Sequence, residues 1–247
     1  MKKTLIVANW KMQKNQAESV EFLHTLIPEL EKTPPEREIV LCAPFTALGS
    51  LFNHLNGSQI RLGAQNVHWA DGGAYTGEIS ASMLADIGVH YVIIGHCERR
   101  QCLCETEEII NLRLKAAQHY ALIPILCVGE TQQQRDAGET EKVLINQLKS
   151  SLVDVDLNHL LIAYEAVWAI GTGLTCQPSE ANRVIRFIRE QLDHKDISIL
   201  YGGSVKPNNI DEIMTQPEID GVMVGRASLD PVNLAQIANY SYSYSLC

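Results

Sequence analysis

Three side chains able to move or hold protons stand at the ends of separate apolar runs. Lys11 follows TLIVAN (4–9), His96 closes YVIIGH (91–96), and Glu165 closes LLIAYE (160–165). Asn9 lies just before the lysine and Glu98 just after the histidine. Two further runs, ISILYGG (197–203) and DGVMVG (220–225), lead into Ser204 and into the pair Gly225-Arg226. Glycine-rich backbone there offers N–H groups to an anion. Taken singly, each feature has a simpler explanation: a solvated lysine, a structural histidine, a glutamate paired with an arginine, glycines that only turn the chain. Taken together, a carboxylate, an imidazole and an ammonium beside an anion pocket suit proton abstraction α to a carbonyl. The carboxylate removes the C–H proton, while imidazole and ammonium stabilise the enediolate oxygens. Returning the proton to the neighbouring carbon gives an aldose–ketose isomerisation that needs no cofactor. The chain shows no nucleophilic serine or cysteine motif, no metal-ligand spacing and no dinucleotide fingerprint.

Such residues need a scaffold that brings distant strand ends to one place. Eight short apolar runs are spaced along the chain: 4–9, 38–43, 59–65, 91–96, 122–129, 160–165, 197–203 and 220–225. They are nearly all-apolar rather than alternating, as parallel strands buried on both faces should be. Helix-like segments separate them, for example Gln16–Leu30, Glu105–His119, Thr140–Leu152 and Ser179–Leu192, the last with Ser179 as its expected cap. Strand–helix alternation implies parallel pairing through crossovers. The fold class expected is therefore α/β, a (β/α)8 TIM barrel with eight parallel strands and outer helices, over 1–247 as a single domain. An open doubly wound sheet is the alternative, weakened by the lack of a G-x-G-x-x-G after the first run. In a barrel the C-terminal strand ends share one mouth, so Lys11, His96 and Glu165 face a common space.

Bulk properties narrow the partners. The chain has 247 residues, 46% hydrophobic and 20% charged, with a formal net charge of −9. That acidity argues against nucleic acid, whose phosphates need a basic face. No apolar run reaches transmembrane length, and the patch after the opening lysines is too short for a signal peptide. The 7 cysteines are odd in number and lack C-x-x-C spacing. Reduced thiols and a cytoplasmic location are expected.

The same residues carry a resemblance to the triosephosphate isomerase family. It runs through NWKM (9–12), GAYTGE (73–78), IIGHCERR (93–100), ILCVGE (125–130), AYEAVWAIGTG (163–173), YGGSV (201–205) and DGVMVGRASL (220–229). The resemblance implies interconversion of glyceraldehyde 3-phosphate and dihydroxyacetone phosphate, in glycolysis and gluconeogenesis. It implies Glu165 as the base, a neutral His96 as electrophile, and Lys11 with Asn9 holding the substrate. A glutamate base beside a neutral histidine and a closing loop is the general description of this family. Glu98 would pair with Lys11. Segment 166–176 would be a lid whose Gly171 donates its N–H to the phosphate, with Ser204, Gly225 and Arg226 supplying further contacts. The loop 73–78 would dock on a second copy and make a homodimer, placing Thr76 near the partner's site. The apolar surroundings of Glu165 would make its carboxylate more basic.

The chain departs from the family pattern at several positions. Ala166 stands where proline is usual, Leu174-Thr175-Cys176 where Lys-Thr-Ala is usual, and Cys97 where serine is usual. Arg226 replaces a glycine, Leu103-Cys104 replaces Phe-Gly, and Gln13-Lys14 replaces Asn-Gly. If position 226 required a positive φ, its arginine would be strained; otherwise the side chain points outward into a surface pair. Two other readings stay open at this level. One is a sugar-phosphate epimerase, which would want paired aspartates or a metal at the mouth. The other is a barrel with impaired catalysis acting as a binding protein.

Overall fold

The computed structural model describes residues 3–170 and 175–241. Eight parallel strands close on themselves in sequence order. They are β1 (Thr4–Asn9), β2 (Arg37–Ala43), β3 (Ile60–Ala64), β4 (Tyr91–Ile94), β5 (Ile123–Val128), β6 (Leu161–Tyr164), β7 (Ser198–Tyr201) and β8 (Gly221–Val224). The closing pair sets Leu5 opposite Gly221 and Ala8 opposite Val224. Around them run α1 (Gln16–Glu29), α2 (Phe45–His54), α3 (Ala81–Ile87), α4 (Cys97–Cys102) and α5 (Glu107–His119). The ring continues with α6 (Gln132–Asp136), α7 (Thr140–Ser151), α8 (Pro178–Glu190), α9 (Ile210–Met214) and α10 (Pro231–Ala238).

Successive strand residues point to opposite faces, and both faces are apolar here. Leu5, Val7, Val40, Ile93, Ile125 and Leu200 belong to the cluster that fills the barrel interior. Their neighbours Ile6, Ala8, Ile39, Leu41, Ile94 and Ile199 join the larger layer beneath the helices. This double burial is why the strands read as continuous apolar runs.

Helix starts follow local capping chemistry. Asn15 and Glu18 form a reciprocal capping box at α1. Thr106 caps α5 through its hydroxyl, so Glu105 falls outside that helix. It is buried instead, and accepts from Arg99 Nε at 2.6 Å and from Arg113. The expected cap at Ser179 is not the one used. Pro178 occupies the first turn of α8, where its missing N–H costs nothing, and Gln177 becomes the boundary residue without a side-chain cap.

Candidate active site

The ends of β1 and β4 meet through a lysine–glutamate pair. Lys11 Nζ lies 2.5 Å from Glu98 Oε1. The lysine backbone has φ 55°, the left-handed region that a non-glycine residue enters at a cost of about 1–3 kcal/mol. Asn9 helps hold it there, accepting the Lys11 N–H on Oδ1 at 3.0 Å. The side chain reaches the end of β8, with Lys11 Cε 3.4 Å from where a Cβ on Gly225 would sit.

Gly95, at φ 73°, turns the chain after β4 so that the next residue heads a helix. His96 caps α4, and its Nδ1 accepts the Glu98 N–H at 3.2 Å. That nitrogen therefore presents a lone pair, the pattern of a neutral imidazole. The other nitrogen, Nε2, stands 2.9 Å from Glu165 Oε1. Burial disfavours an imidazolium, but the Glu165 carboxylate more than offsets it and holds the His96 pKa above the ordinary histidine value. The two influences oppose each other: the helix N–H asks for a neutral ring, and the adjacent carboxylate asks for a charged one.

Glu165 continues the β6 ladder, donating its N–H to the Val128 carbonyl at 2.8 Å. The residue is 1% exposed. Oε2 accepts the Cys97 N–H at 2.8 Å. Among the described residues no donor is well aligned on Oε1, since His96 Nε2 approaches closely but off the hydrogen-bond direction. Room for this carboxylate comes from Gly202, where a Cβ would sit 3.2 Å from Glu165 Cγ and 3.1 Å from the Tyr164 carbonyl oxygen. The expectation of a more basic carboxylate does not hold in this conformation. Burial raises the pKa, but His96 and the Cys97 N–H outweigh it and keep the carboxyl below the usual glutamate value.

Beyond Glu165 the chain makes a 3-10 turn at Val167–Ala169. The indole N–H of Trp168 donates to Glu130 Oε1 at 2.9 Å, and the Tyr164 hydroxyl donates to the same oxygen at 3.1 Å. Arg135 stacks over the Trp168 ring at 4.3 Å. Glu130 is fully buried, and burial raises its pKa despite these donors. Sequence reasoning missed this residue. The signal was present, because Glu130 is a carboxylate just past the end of β5, the kind of interruption that marked Glu165. Gly171 and Leu174 lie outside the described residues. Cys176 is buried.

The remaining expected residues fall at the same strand ends. Ser204 follows β7, half-buried, with its carbonyl accepting from Asn209 Nδ2 at 2.9 Å. Arg226 opens the 3-10 turn Arg226–Leu229 with no positive φ, so it is unstrained. The residue is exposed, but the surface pair expected of it is not made among the described residues. The stretch 71–78, with Tyr75 and Thr76, is exposed throughout. Spacing along the chain gave no metal-ligand cluster; in the fold, His96, Cys97 and Glu165 bring atoms of ligating type within 4.8 Å of one another.

A carboxylate with a free lone pair, an imidazole and an ammonium at one barrel mouth can carry a proton between adjacent carbons of a small carbonyl compound. Comparison with known proteins agrees. Residues 4–241 match the family model described as triosephosphate isomerase. The triosephosphate isomerase of Gloeothece citriformis is 65% identical over 240 residues, 97% of this chain and 100% of that protein. That of Trichormus variabilis is 63% identical, again over 97% of this chain and 100% of the relative. The crystal structure of triosephosphate isomerase from Bartonella henselae superposes with a TM-score of 0.87 at 35% identity, covering 96% of this chain and 98% of that one. Agreement of this extent, from the first strand to the last helix, means that the chain belongs to the triosephosphate isomerase family.

Proposed function

We infer that this chain interconverts glyceraldehyde 3-phosphate and dihydroxyacetone phosphate by proton transfer through an enediolate. The observation that carries the reading is the contact of Glu165 Oε1 with His96 Nε2 at 2.9 Å, beside a lysine held by Glu98. Glu165 is the base. Before it moves, Oε2 is held by the Cys97 N–H, and Oε1 keeps a lone pair for the substrate C–H. Moving toward substrate takes the carboxylate from the groups that lower its pKa, and burial then makes it a stronger base. The same motion withdraws the charge that favours an imidazolium. His96 is left neutral by the Glu98 N–H and polarises the carbonyl through Nε2–H. Lys11 balances the enediolate charge, and Asn9 holds a substrate oxygen.

The phosphate is held by backbone N–H groups of Gly171, Ser204, Gly225 and Arg226, and segment 166–176 acts as the lid. The reaction is an internal redox exchange between two carbons, so proton carriers suffice and no cofactor is required. The chain acts as a single domain over 1–247. It works as a homodimer through loop 73–78 with Thr76; the support is exposed apolar surface at Met12, Tyr75 and Met83, at 93%, 45% and 51%. No helix among the described residues is long and apolar enough to cross a membrane, in keeping with a cytoplasmic place.

A coupled assay of glyceraldehyde 3-phosphate conversion tests the reading, with Glu165→Ala as control. Loss of the base should lower kcat by on the order of 10²–10⁴. Equal inactivity of both proteins would leave a binding barrel and end the isomerase reading.

A further inference from the structure

The groups around the catalytic carboxylate carry a second chemistry. His96, Cys97 and Glu165 are 5%, 5% and 1% exposed, and one ligating atom from each lies within 4.8 Å of the others. Glu165 Oε1 is buried and, among the described residues, has no well-aligned hydrogen-bond donor although His96 Nε2 stands 2.9 Å away, so both groups already face the cluster. Imidazole nitrogen, thiolate sulfur and carboxylate oxygen form a donor set suited to tetrahedral zinc. Magnesium and calcium want oxygen ligands alone and are excluded by the same set. Cys97 is decisive, because the serine usual at this position would offer only a neutral hydroxyl.

We propose that this chain binds one zinc-like divalent cation between His96 Nε2, Cys97 Sγ and Glu165 Oε1, and that the bound ion inhibits by occupying the base. Inhibition rests on the role given above to Glu165; the metal site does not.

The geometry needs small adjustments. Ligand atoms around tetrahedral zinc stand roughly 3.3–3.7 Å apart, given bond lengths of about 2.0–2.3 Å. Nε2 and Oε1, at 2.9 Å, must separate slightly. The sulfur, 3.9 Å from His96 Nδ1, must swing toward Nε2. The proton balance is also defined. Glu165 binds as the carboxylate it already is, and Cys97 releases its thiol proton to solvent. The Nε2 proton of neutral His96 passes to Nδ1, which gives up the Glu98 N–H as a donor. Glu98 Oε2, 3.5 Å from Nδ1, then accepts a hydrogen bond from the Nδ1–H. Binding thus releases one proton, leaves the carboxylate–histidine–metal order common in zinc sites, and lets water complete the fourth position.

Cobalt(II) is the probe, added to the chelator-treated full chain with Cys102, Cys104 and Cys247 changed to serine, so that the thiols left besides Cys97 are the buried Cys42, Cys127 and Cys176. The expected result is one ion per chain, with a thiolate-to-cobalt charge-transfer band and strong tetrahedral visible bands. Zinc should displace the cobalt, and magnesium should not. Cys97→Ser should lose the charge-transfer band, and Glu165→Gln should weaken binding while keeping it. Zinc inhibition, scored against each protein's own metal-free rate, should weaken by about tenfold or more in Cys97→Ser. An octahedral spectrum without the thiolate band, or a band that survives Cys97→Ser, would overturn the site. A protein that shows the band but has no isomerase activity would keep the site and lose the functional reading instead.

Discussion

Trp168 and Glu130 are joined by a 2.9 Å hydrogen bond that ties the segment after β6 to the end of β5. The acceptor is fully buried, and the Tyr164 hydroxyl and Arg135 also reach it. Trp168→Phe removes one donor from a buried carboxylate, a loss of about 1.5–3 kcal/mol. With that anchor weakened, the lid is positioned less well, and kcat/KM should fall by about tenfold or more. Glu130→Gln keeps an acceptor for the indole and should lose less. Steady-state kinetics of the two variants checks the order.

Glu165 should make stability depend on pH in a defined sense. Burial raises its pKa, but His96 and the Cys97 N–H outweigh burial, so the folded value lies below the unfolded one. A depressed carboxylate contributes stability that is complete above the unfolded pKa, about 4.3, and is lost as pH falls through the folded value. The stability advantage of the wild-type chain over Glu165→Gln should therefore shrink as pH falls below the unfolded glutamate value, whereas in the histidine range it falls as pH rises, because Glu165 also raises the His96 pKa. Urea unfolding of both proteins across the acid range measures it. An advantage that kept growing as pH fell below about 4.3 would contradict the assignment.

The barrel could be read from the sequence because both faces of each strand are buried. Leu5 fills the interior while Ile6 packs under helices, and the two together make an unbroken apolar run. The site was legible for the same reason, since polar residues at the ends of such runs stand out. What escaped depends on three-dimensional neighbours. Cys97 and Glu165 are 68 positions apart, and only folding brings the N–H of one to the carboxylate of the other. Apolar sequence around Glu165 suggested a raised pKa, but this contact and His96 reverse the sign. Ser179 looked like a cap until Pro178 moved the helix start ahead of it.

Cys104 holds φ 53° on an exposed turn after α4. A side chain in that region costs about 1–2 kcal/mol, which glycine does not incur. Glycine also gains about 0.4–1 kcal/mol of unfolded-state entropy, so the relief is partial. Cys104→Gly should still raise the melting temperature by a few degrees, at about 2–4 °C per kcal/mol for a chain of this size. Calorimetry or thermal circular dichroism reads the shift, and a lower Tm would refute the strain argument.

Gly202 marks the space that Glu165 needs. A Cβ there would lie 3.2 Å from Glu165 Cγ and 3.1 Å from a backbone oxygen that cannot swing aside. Gly202→Ala should displace the carboxylate by a few tenths of an ångström. Catalysis is sensitive to such shifts, with a misplacement of about 1 Å costing about 100-fold. The variant should lose kcat by about tenfold while KM changes little, because the displaced group is the base. A rise in KM at constant kcat would instead assign Gly202 to substrate binding.

Ala166 is the position at which the chain most directly invites repair. It has φ −70°, within the range that proline imposes, and its N–H donates no backbone hydrogen bond among the described residues. Proline there would remove freedom from the unfolded chain and from the open hinge, an effect of about 0.4–1 kcal/mol. The opposing factor is space, because Ala166 is fully buried and ring carbons must fit among its neighbours. A loose hinge predicts a higher kcat and a higher Tm for Ala166→Pro, and the same gain or more when Leu174→Lys is added. Overpacking predicts a lower Tm. If Tm rises while kcat stays constant or falls, the hinge is stiffer without closing better, and entropy at Ala166 does not limit turnover.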